Sequence, residues 1–595
     1  MRSWLSACAA AAAVLCFPPS ITAQQLRTEV RADRGVVAAG RTFSAEAGAT
    51  ILTAGGNAID AGVATIFAAA VVEISHFGLG GEAPIILYSA RDKRVIVING
   101  QGSAPKGASP ALFAGKTVIP GNGPLGATIP AVVDSAALAL QTYGTKSLAE
   151  VLAPAIALAD GFPLYEFLHH YLETERKATE LYEGSRRAYY PDGRITPTGG
   201  MFRQPDLAAT LRALAAAEQD ATSRGASREQ GIQAGRDAFY KGSIAQRMTA
   251  AVRAAGGVMT DDDLAGYRGK IEEPASVPYR GYTVYKAGFW NQGPALLQSL
   301  RILEGFDLAR MGRGSADAVH TIVEAIKLAY ADRDRYYGDP DFVRVPGGPL
   351  LSAEYAAVRR TLIDPARASL DERPGDPERG AARIGAGTVE RLVGTPAREP
   401  GDTTSLQVVD ADGNMFSATP SSGWMLGGAF VAGDTGVPMS NRMQAFRLDP
   451  GSPNVLAGGK RPRTTLTPTI VLKDGKPFLA IGTPGGDSQD QQILLVLLNI
   501  IDFGMDVQGA IEAPRVNSLH PQSSFDDHRA QPGVLEVERT LAPQVIDELR
   551  ARGHVLRMRG PYGISTGIVA AGIDPATGRL RGGADPRRER ALIAY

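Results

Sequence analysis

The sequence predicts an α+β protein in which packed sheets are covered by helices. Strand patterns and helix patterns come in separate blocks along the chain, and the strand blocks contain hairpins with Asp-Gly turns. The chain has 595 residues, of which 44 % are hydrophobic, so it can bury a large core. Its 62 basic and 62 acidic residues balance, which gives no electrostatic reason to expect nucleic acid or anionic lipid as a partner.

The first residues have the pattern of a secretory signal peptide over residues 1–23. Arg2 precedes the short apolar run WLSACAAAAAVLCF, and small residues precede a cleavage position after Ala23. The run is too short to span a bilayer comfortably, so we expect a periplasmic or secreted protein without a membrane anchor. Because Cys8 and Cys16 lie inside this signal, we expect no disulfide, cysteine nucleophile or thiolate metal site in the mature chain.

Helices dominate the elements predicted for the first half of the chain. Residues 45–73 predict two helices that are interrupted at Gly55-Gly56. Residues 77–100 predict a glycine turn followed by two strands. Residues 147–270 are rich in Ala, Leu, Arg and Glu, which favour helices, so this stretch is expected to be mainly helical.

A polar segment separates the helical half from a second set of strands. Residues 277–289 are strand-like, and residues 315–338 predict a long amphipathic helix. Residues 364–402 are dense in proline, glycine and charge and nearly free of aromatic residues, so we expect a mobile or irregular tail there. After this tail, residues 405–421 and 469–482 alternate with period two around Asp-Gly turns and predict two hairpins. Two helices complete the prediction, at residues 491–504 and 542–553.

Two adjacent threonines, in the stretch GDTTSLQVVD, begin the first of these hairpins. A threonine hydroxyl is a weak nucleophile, but the residue's own α-amine can serve as its base if the chain is cut just before it. A free α-amine titrates at about pH 7.7–8.0, so much of it can accept a proton at physiological pH. Cleavage between Asp402 and Thr403 would let the tail move away while the hairpin holds the new N-terminus. From these residues alone, a plain turn or side-chain cap is the commoner meaning of Asp-Thr-Thr before a strand.

The chain resembles the γ-glutamyltranspeptidase family of N-terminal-nucleophile hydrolases over nearly all of the predicted mature sequence. Several long stretches carry the resemblance in the family's order: GGNAIDAGVA (55–64), GLGGE (78–82), residues 314–346, GDTTSLQVVDADGN (401–414), residues 459–489 and GGADPR (582–587). The resemblance implies a four-layer αββα sandwich. It also implies self-cleavage of one precursor into a large subunit over residues 24–402 and a small subunit over residues 403–595.

The resemblance also assigns the catalytic roles. It makes Thr403 the nucleophile of self-processing and of turnover, with Thr404 as the family's usual second threonine. Ser421 lies where the family keeps a hydroxyl that hydrogen-bonds the nucleophile. The backbone amides of Gly485 and Gly486 match the family's oxyanion hole, and such donors are commonly worth about 3–4 kcal/mol each in the transition state. The implied partners are a small-molecule amide substrate and the two subunits, without a cofactor or metal.

Several positions that hold the family's substrate head group are changed in this chain. Gln101 stands where the family has an arginine for the α-carboxylate, and Ala445 stands where it has an aspartate for the α-ammonium. Gly423 replaces an asparagine two residues after Ser421. The pocket that the resemblance implies therefore lacks both charges that would hold a zwitterionic γ-glutamyl group.

The remaining changes add positive charge. Arg442 replaces a glutamine, and Thr464-Thr465, preceded by Arg463, replaces a pair of serines that bind the carboxylate. An ammonium without its anion would lose about 3–5 kcal/mol in a desolvated site, whereas the arginines could bind a simple carboxylate. The sequence thus predicts an amide hydrolase or acyltransferase for a different acyl group, such as a carboxylate-bearing one without the α-amine. Alternatively, both arginines point to solvent, the ordinary position of arginine.

Two other functions stay open from the sequence. The first is an ordinary glutathione hydrolase or γ-glutamyltransferase that tolerates the substitutions. The second is a binding protein that keeps the fold without catalysis. The sequence leaves the acyl group and the choice between water and an amine as acceptor undetermined.

Overall fold

The computed structural model describes residues 25–384, 392–395, 403–423 and 425–595. The predicted signal peptide over residues 1–23 and Asp402 of the predicted cleavage site lie outside the described residues. Thr403 is the first described residue of the predicted small subunit.

Two large antiparallel sheets form the centre of the molecule. The strands are β1 (Val30–Ala32), β2 (Gly35–Ala39), β3 (Ile85–Ser89), β4 (Arg94–Asn99), β5 (Phe162–Pro163), β6 (Met201–Phe202), β7 (Lys270–Glu272), β8 (Ala275–Tyr279), β9 (Tyr282–Lys286), β10 (Leu406–Asp410), β11 (Met415–Ala418), β12 (Thr469–Lys473), β13 (Lys476–Gly482), β14 (Val516–Ser518), β15 (Val534–Glu538), β16 (Val555–Arg559), β17 (Val569–Ile573), β18 (Leu580–Ala584) and β19 (Ala591–Ala594). The β13 sheet has the strand order β1-β18-β17-β13-β12-β9-β8, and the β10 sheet has the order β19-β2-β10-β11-β3-β4-β7. Two small sheets, β14-β15-β16 and β5-β6, lie outside this centre.

Helices precede and follow the strands in blocks. They are α1 (Thr42–Thr53), α2 (Ala58–Val72), α3 (Val132–Tyr143), α4 (Leu148–Asp160), α5 (Glu166–Thr174), α6 (Arg176–Thr179), α7 (Glu183–Tyr189), α8 (Pro205–Ser223), α9 (Arg228–Tyr240), α10 (Ser243–Ala254), α11 (Asp261–Gly266), α12 (Pro294–Leu303), α13 (Leu308–Met311), α14 (Ala316–Tyr336), α15 (Gly347–Leu350), α16 (Ala353–Arg360), α17 (Gln489–Ile501), α18 (Val507–Glu512) and α19 (Pro543–Ala551). None of the helices in the described part of the chain is long and apolar enough to cross a bilayer.

The two large sheets stack face to face, because side chains from both fill one apolar core. Val409 and Ile86 of the β10 sheet pack there with Ala480 and Leu472 of the β13 sheet. Helices α1, α2 and α3 cover the outer face of the β10 sheet, and α12, α17 and α18 cover that of the β13 sheet. The four layers confirm the predicted αββα sandwich.

Each large sheet contains strands from both sides of Thr403. In the β10 sheet, β10 pairs with β11 on one side and with β2 of the predicted large subunit on the other. In the β13 sheet, β12 pairs with β13 and with β9 of the predicted large subunit. Cleavage before Thr403 would therefore leave two chains that share both sheets and both cores, so they would stay associated.

Local signals explain the elements that the sequence predicted correctly. The interruption at Gly55-Gly56 separates α1 from α2, since Gly55 has φ of 79° and Asn57 caps α2 by accepting from the amides of Ile59 and Asp60. The turn between β12 and β13 places Asp474 and Gly475 at φ of 49° and 76°, as expected for an Asp-Gly hairpin.

Helix α14 confirms the predicted long helix, but its polar face is covered. Residues 364–384, the first part of the tail predicted to be mobile, lie in part against it. Glu324 accepts from Arg373 at 2.6 Å, and Lys327 donates to the carbonyl of Ser369 at 3.0 Å. A face that reads as solvent-exposed in the sequence is thus buried by a later segment that brings matching charges. Mobility of the tail stays a prediction.

Candidate active site

Thr403 and Ser421 lie together at one end of the β10–β11 hairpin. Thr403 is buried just before β10, and its hydroxyl donates to Ser421 Oγ at 3.4 Å. The amide of Thr404 donates to the carbonyl of Pro420 at 3.1 Å, which joins the two arms of the hairpin beyond its last strand residues. Ser421 Oγ also accepts from the Gly423 amide at 2.9 Å. The structure therefore places a hydroxyl beside Thr403.

Thr404, the residue after Thr403, faces a buried carboxylate. Its Oγ1 and the Oε2 of Glu73 lie within 2.3 Å and 2.2 Å of the point where a Cβ on Gly40 would lie, so only glycine fits there. Glu73 accepts from the Ser44 hydroxyl at 3.0 Å. Burial raises the pKa of the Glu73 carboxyl, while the Thr404 hydroxyl and Arg41 act in the opposite direction. The sequence analysis missed Glu73, whose position after an apolar helix carries no local signal.

Gly485 and Gly486 form a turn shortly after β13, which ends at Gly482. Their φ angles of 124° and 55° favour glycine, and the Gly485 carbonyl accepts from the amide and hydroxyl of Ser488 at 3.0 Å and 2.6 Å. A Cβ on Gly482, at the end of β13, would lie 2.3 Å from Ser405 Oγ. Within the described residues, no acceptor is bonded to the amide of either Gly485 or Gly486. The turn thus has two N–H donors without described acceptors, three and four residues after the glycine that contacts Ser405.

Arg442 forms a buried ion pair with Glu82. Its Nε donates to Glu82 Oε1, and the Ser440 hydroxyl donates to Glu82 Oε2 at 3.2 Å. Glu82 also pairs with Ser421 through two backbone hydrogen bonds of 2.9 Å and 3.0 Å. Arg442 is 1 % exposed, so it does not point to solvent, and no described residue accepts from its Nη2. The backbone of Glu82 therefore links the Glu82–Arg442 ion pair to Ser421, whose hydroxyl bonds Thr403.

Gln101 is buried shortly after β4. Its carbonyl accepts from the Tyr267 hydroxyl at 3.0 Å, and its side-chain amide donates to the carbonyl of Gly102 at 3.3 Å. Burial raises the pKa of Tyr267, and the nearby Glu82 carboxylate contributes to this rise. The Oε1 of Gln101 is buried without a hydrogen bond to the described part of the chain. The amide thus leaves one acceptor unused close to the Glu82–Arg442 pair.

Ala445 and Arg463 line one cleft, together with Arg447 and Asp449. Arg463 donates to Asp334 Oδ1 and to Ser524 Oγ, both at 2.9 Å, and is 7 % exposed. Its Nε has no acceptor among the described residues. Neither predicted arginine points to solvent. The two arginines contact two adjacent residues of one segment. Arg463 bonds Ser524, and the guanidinium of Arg442 lies 5.7 Å from the centre of the Phe525 ring.

Thr464 and Thr465 directly follow Arg463 in the sequence, and both are buried. The Thr464 amide donates to the carbonyl of Trp290 at 3.1 Å, and its own carbonyl accepts from the Gln292 amide at 2.9 Å. Thr465 Oγ1 is buried and makes no hydrogen bond within the described ranges. The backbone of Thr464 is therefore held to Trp290 and Gln292, which precede Thr403 in the chain, and the Thr465 hydroxyl has no hydrogen bond within the described residues.

One group of side chains has the composition of a metal site. His320, Glu324 and His554 bring ligand atoms within 4.8 Å of one another, remote in sequence from every predicted site residue. However, His320 Nδ1 and His554 Nε2 hydrogen-bond each other at 2.9 Å, and Glu324 pairs with Lys327 and Arg373. The two histidines thus bond each other while the Glu324 carboxylate neutralises two cations, and the group carries no metal assignment.

The layer arrangement is shared with a solved enzyme. Cephalosporin acylase from Bacillus halodurans superimposes with a TM-score of 0.83, at 30 % identity, over 98 % of this chain and 99 % of that chain. The sandwich of stacked sheets between helices, with a threonine at the mouth of a central hairpin, defines the class: the chain is an N-terminal-nucleophile hydrolase.

Sequence comparison gives the family within this class. The family model described as Gamma-glutamyltranspeptidase matches residues 44–595. The glutathione hydrolase proenzyme of Escherichia coli (strain K12) is 34 % identical over 585 residues, which cover 95 % of this chain and 92 % of that protein. The Acylase ACY 1 proenzyme of Pseudomonas sp. (strain SE83) is 33 % identical over 575 residues, covering 94 % and 93 %. The chain belongs to the γ-glutamyltranspeptidase family, which confirms the resemblance and the predicted enzyme class.

Proposed function

We propose that Thr403, freed by self-cleavage after Asp402, is the nucleophile of an amide hydrolase or acyltransferase. The observation that supports this role is the buried Thr403 hydroxyl, bonded to Ser421 and placed just before β10, whose neighbour Ser405 contacts Gly482 at the end of the strand that leads into the Gly485–Gly486 turn. Two glycine amides without described acceptors suit the oxyanion that forms when the hydroxyl attacks.

The reaction follows from these groups. Thr403 Oγ attacks the amide carbon of the substrate, and the α-amine of Thr403 takes the hydroxyl proton. The amides of Gly485 and Gly486 donate to the oxyanion, while Ser421 keeps the nucleophile oriented. Collapse breaks the C–N bond, and the departing amine receives the proton from the α-ammonium. Water, or a second amine, then attacks the Thr403 ester and restores the enzyme.

The acyl group carries a carboxylate but no α-ammonium in this proposal. The observation that supports it is the cleft in which Ala445 offers no charge and Arg463 offers an Nε without a described acceptor. The carboxylates of Asp334 and Asp449 in the same cleft are paired with Arg463 and Arg447, so they are poor partners for an ammonium. Relatives named as acylases, besides those named as glutathione hydrolases, match this chain at nearly full length.

Matched anilide substrates test the acyl group. We expect kcat/KM for a glutaryl anilide to exceed that for the γ-glutamyl anilide by about tenfold or more, since an unpaired ammonium in a desolvated site costs several kcal/mol. Ala445→Asp restores a carboxylate to the cleft and is expected to shift the preference toward the γ-glutamyl compound. A wild-type preference for the γ-glutamyl anilide would instead establish a glutathione hydrolase or γ-glutamyltransferase.

Gel electrophoresis under denaturing conditions separates the non-catalytic alternative. A purified protein that stays a single band and hydrolyses neither anilide would be a binding protein with this fold.

Export is also part of the proposal, because the pattern over residues 1–23 is that of a signal peptide. N-terminal sequencing of the large subunit from the periplasmic or secreted fraction checks it, and a chain that still begins at Met1 would contradict it.

A further inference from the structure

Arg333 is a buried cation on the large-subunit side of the Gly485–Gly486 turn. It lies near the end of α14 and has no exposed side-chain surface. Its guanidinium lies 4.4 Å from the centre of the Tyr330 ring, and its Nη2 donates to the carbonyl of Gln522 at 2.8 Å. None of these contacts gives Arg333 a place in the reaction as described above, so its burial calls for a separate reason.

The first link from Arg333 to the turn is a carboxylate. Arg333 Nη1 bonds Asp487, the residue directly after Gly486. Asp487 also accepts from the amide and hydroxyl of Ser524 at 2.7 Å and 2.6 Å, and its carbonyl accepts from the Tyr330 hydroxyl at 2.8 Å. Burial raises the pKa of Asp487, but Arg333 and Ser524 outweigh this and hold it below its ordinary value. Asp487 is thus an anion fixed from three directions.

The second link is a side-chain amide. The same Nη1 of Arg333 donates to Gln292 Oε1 at 3.0 Å, and Gln292 Nε2 donates to the carbonyl of Gly486 at 3.2 Å. Gln292 is fully buried and its backbone amide is bonded to Thr464. One guanidinium therefore constrains the peptide that follows Gly486 both directly and through a neighbour.

We propose that Arg333 is a positioning residue that holds the Gly485–Gly486 turn in the orientation an oxyanion requires. This inference rests on the proposed function, because it takes that turn as the oxyanion hole. A hole of backbone amides has no side chain to lock it, and glycine permits many backbone conformations. Pre-organised donors stabilise a transition state only if they need no reorganisation when charge develops. Arg333 supplies that rigidity from the other subunit, through Asp487 and Gln292.

The same contacts extend to the acyl cleft. Ser524 Oγ accepts from Arg463 and donates to Asp487, so the cleft wall and the turn share one hydrogen-bond network. Asp334, next to Arg333, is the other partner of Arg463. Arg333 Nε also donates to Asp334 at 2.9 Å, but Arg463 keeps its own bonds to Asp334 and Ser524 when Arg333 is lost. We therefore expect a larger effect on the chemical step than on binding in the cleft.

The test compares Arg333→Lys with a matched control, Arg359→Lys. Arg359 is also fully buried and bonds the carbonyl of Leu328 in the same helix at 2.9 Å, but it contacts Asp332 instead of Asp487. For Arg333→Lys in the processed enzyme we expect kcat to fall about 10- to 100-fold with KM changed less than about threefold, since a lysine cannot reach both links at once. Binding of a boronate that mimics the tetrahedral intermediate should weaken by a similar factor. Arg359→Lys is expected to lower stability to urea but leave kcat per folded molecule within about twofold.

Asp487→Asn provides an independent route if Arg333→Lys does not accumulate in folded form. It keeps the volume of the side chain and removes the charge that Arg333 holds, and it should lower kcat in the same way. The kcat of the double variant, Arg333→Lys with Asp487→Asn, should be no more than about threefold below that of the less active single variant, because both substitutions act through one contact. Losses that multiply, a change confined to KM, or an equal loss of kcat in Arg359→Lys would overturn the inference. Turnover by Thr403→Ala would instead overturn the proposed function, so the two failures are distinguishable.

Discussion

The surroundings of Thr403 and the region expected to hold the acyl head group differ in how they use charge. Beside Thr403 the structure places the hydroxyls of Ser421 and Thr404, with the Glu73 carboxyl, whose pKa burial raises, against Thr404. The head-group region instead contains buried ion pairs, Glu82–Arg442 and Asp334–Arg463. Neutral donors can be positioned at small cost, whereas buried charges persist only when paired. The chemistry and the selectivity of this enzyme can therefore change separately.

Removal of the Thr403 hydroxyl is expected to have the largest effect among the substitutions near the reaction. We expect Thr403→Ala to abolish self-cleavage and to lower turnover by at least about 10⁴-fold, because neither a hydroxyl nor a newly formed N-terminal base remains. Gel electrophoresis shows the cleavage, and initial rates on the preferred anilide show the turnover. A cleaved and active Thr403→Ala protein would require another nucleophile.

Removal of Arg442 breaks the charged side. Arg442→Gln leaves Glu82 buried without its cation, and the free energy of unfolding is expected to fall by about 3–5 kcal/mol. Glu82→Gln in the same chain removes the unpaired charge as well, so the double variant should be more stable than Arg442→Gln. Urea titrations of the three proteins at pH 8 measure this, and a double variant that is less stable than Arg442→Gln would contradict the pairing.

The same variant should respond to pH. Burial raises the pKa of Glu82, and Arg442 opposes that rise in the wild type. In Arg442→Gln the folded-state pKa therefore rises further above the unfolded value of about 4.3. A carboxyl of this kind favours the folded state at low pH and loses that contribution as pH rises through the folded pKa. We expect the stability deficit of Arg442→Gln to be smaller at pH 5 than at pH 8, and an equal deficit at both would count against a charged Glu82.

Substitution of Ser421 is expected to have the smallest effect, and it tests the hydroxyl that bonds Thr403. Ser421→Ala removes one neutral hydrogen bond to Thr403, worth about 0.5–1.5 kcal/mol, so kcat is expected to fall about 3- to 10-fold. Ser421→Thr keeps the hydroxyl and should stay within about threefold of the wild type. Pre-steady-state rates of acyl transfer to Thr403 measure both. Equal rates for the alanine and threonine variants would show that the hydroxyl does not orient the nucleophile.

The fold could be predicted where its signals are local. The Asp474-Gly475 turn, the interruption at Gly55-Gly56 and the hairpin after Thr403 each depend on a few adjacent residues, and the structure confirms them. The covered face of α14 could not be predicted, because the charges that bury it belong to a segment that the sequence shows only as polar.

Residues of the site were hidden for the same reason. Glu82 lies in GLGGE, a stretch that indicates the family, but its partner Arg442 is 360 residues further along the chain. Arg333 and Asp487 are 154 residues apart in the sequence, and no local pattern around either residue indicates that they bond each other. The sequence indicated which residue types stand near the reaction, and the fold was needed to show which charges neutralise each other.

The intact mass of the purified, active protein tests the proposed nucleophile most directly. We expect two polypeptides that stay together until denatured, the smaller having the mass of residues 403–595 and beginning with Thr403. After brief reaction with a slow acyl substrate, the added acyl mass should be on the smaller polypeptide. A single uncleaved polypeptide that hydrolyses the amide would contradict the assignment of Thr403 as an N-terminal nucleophile.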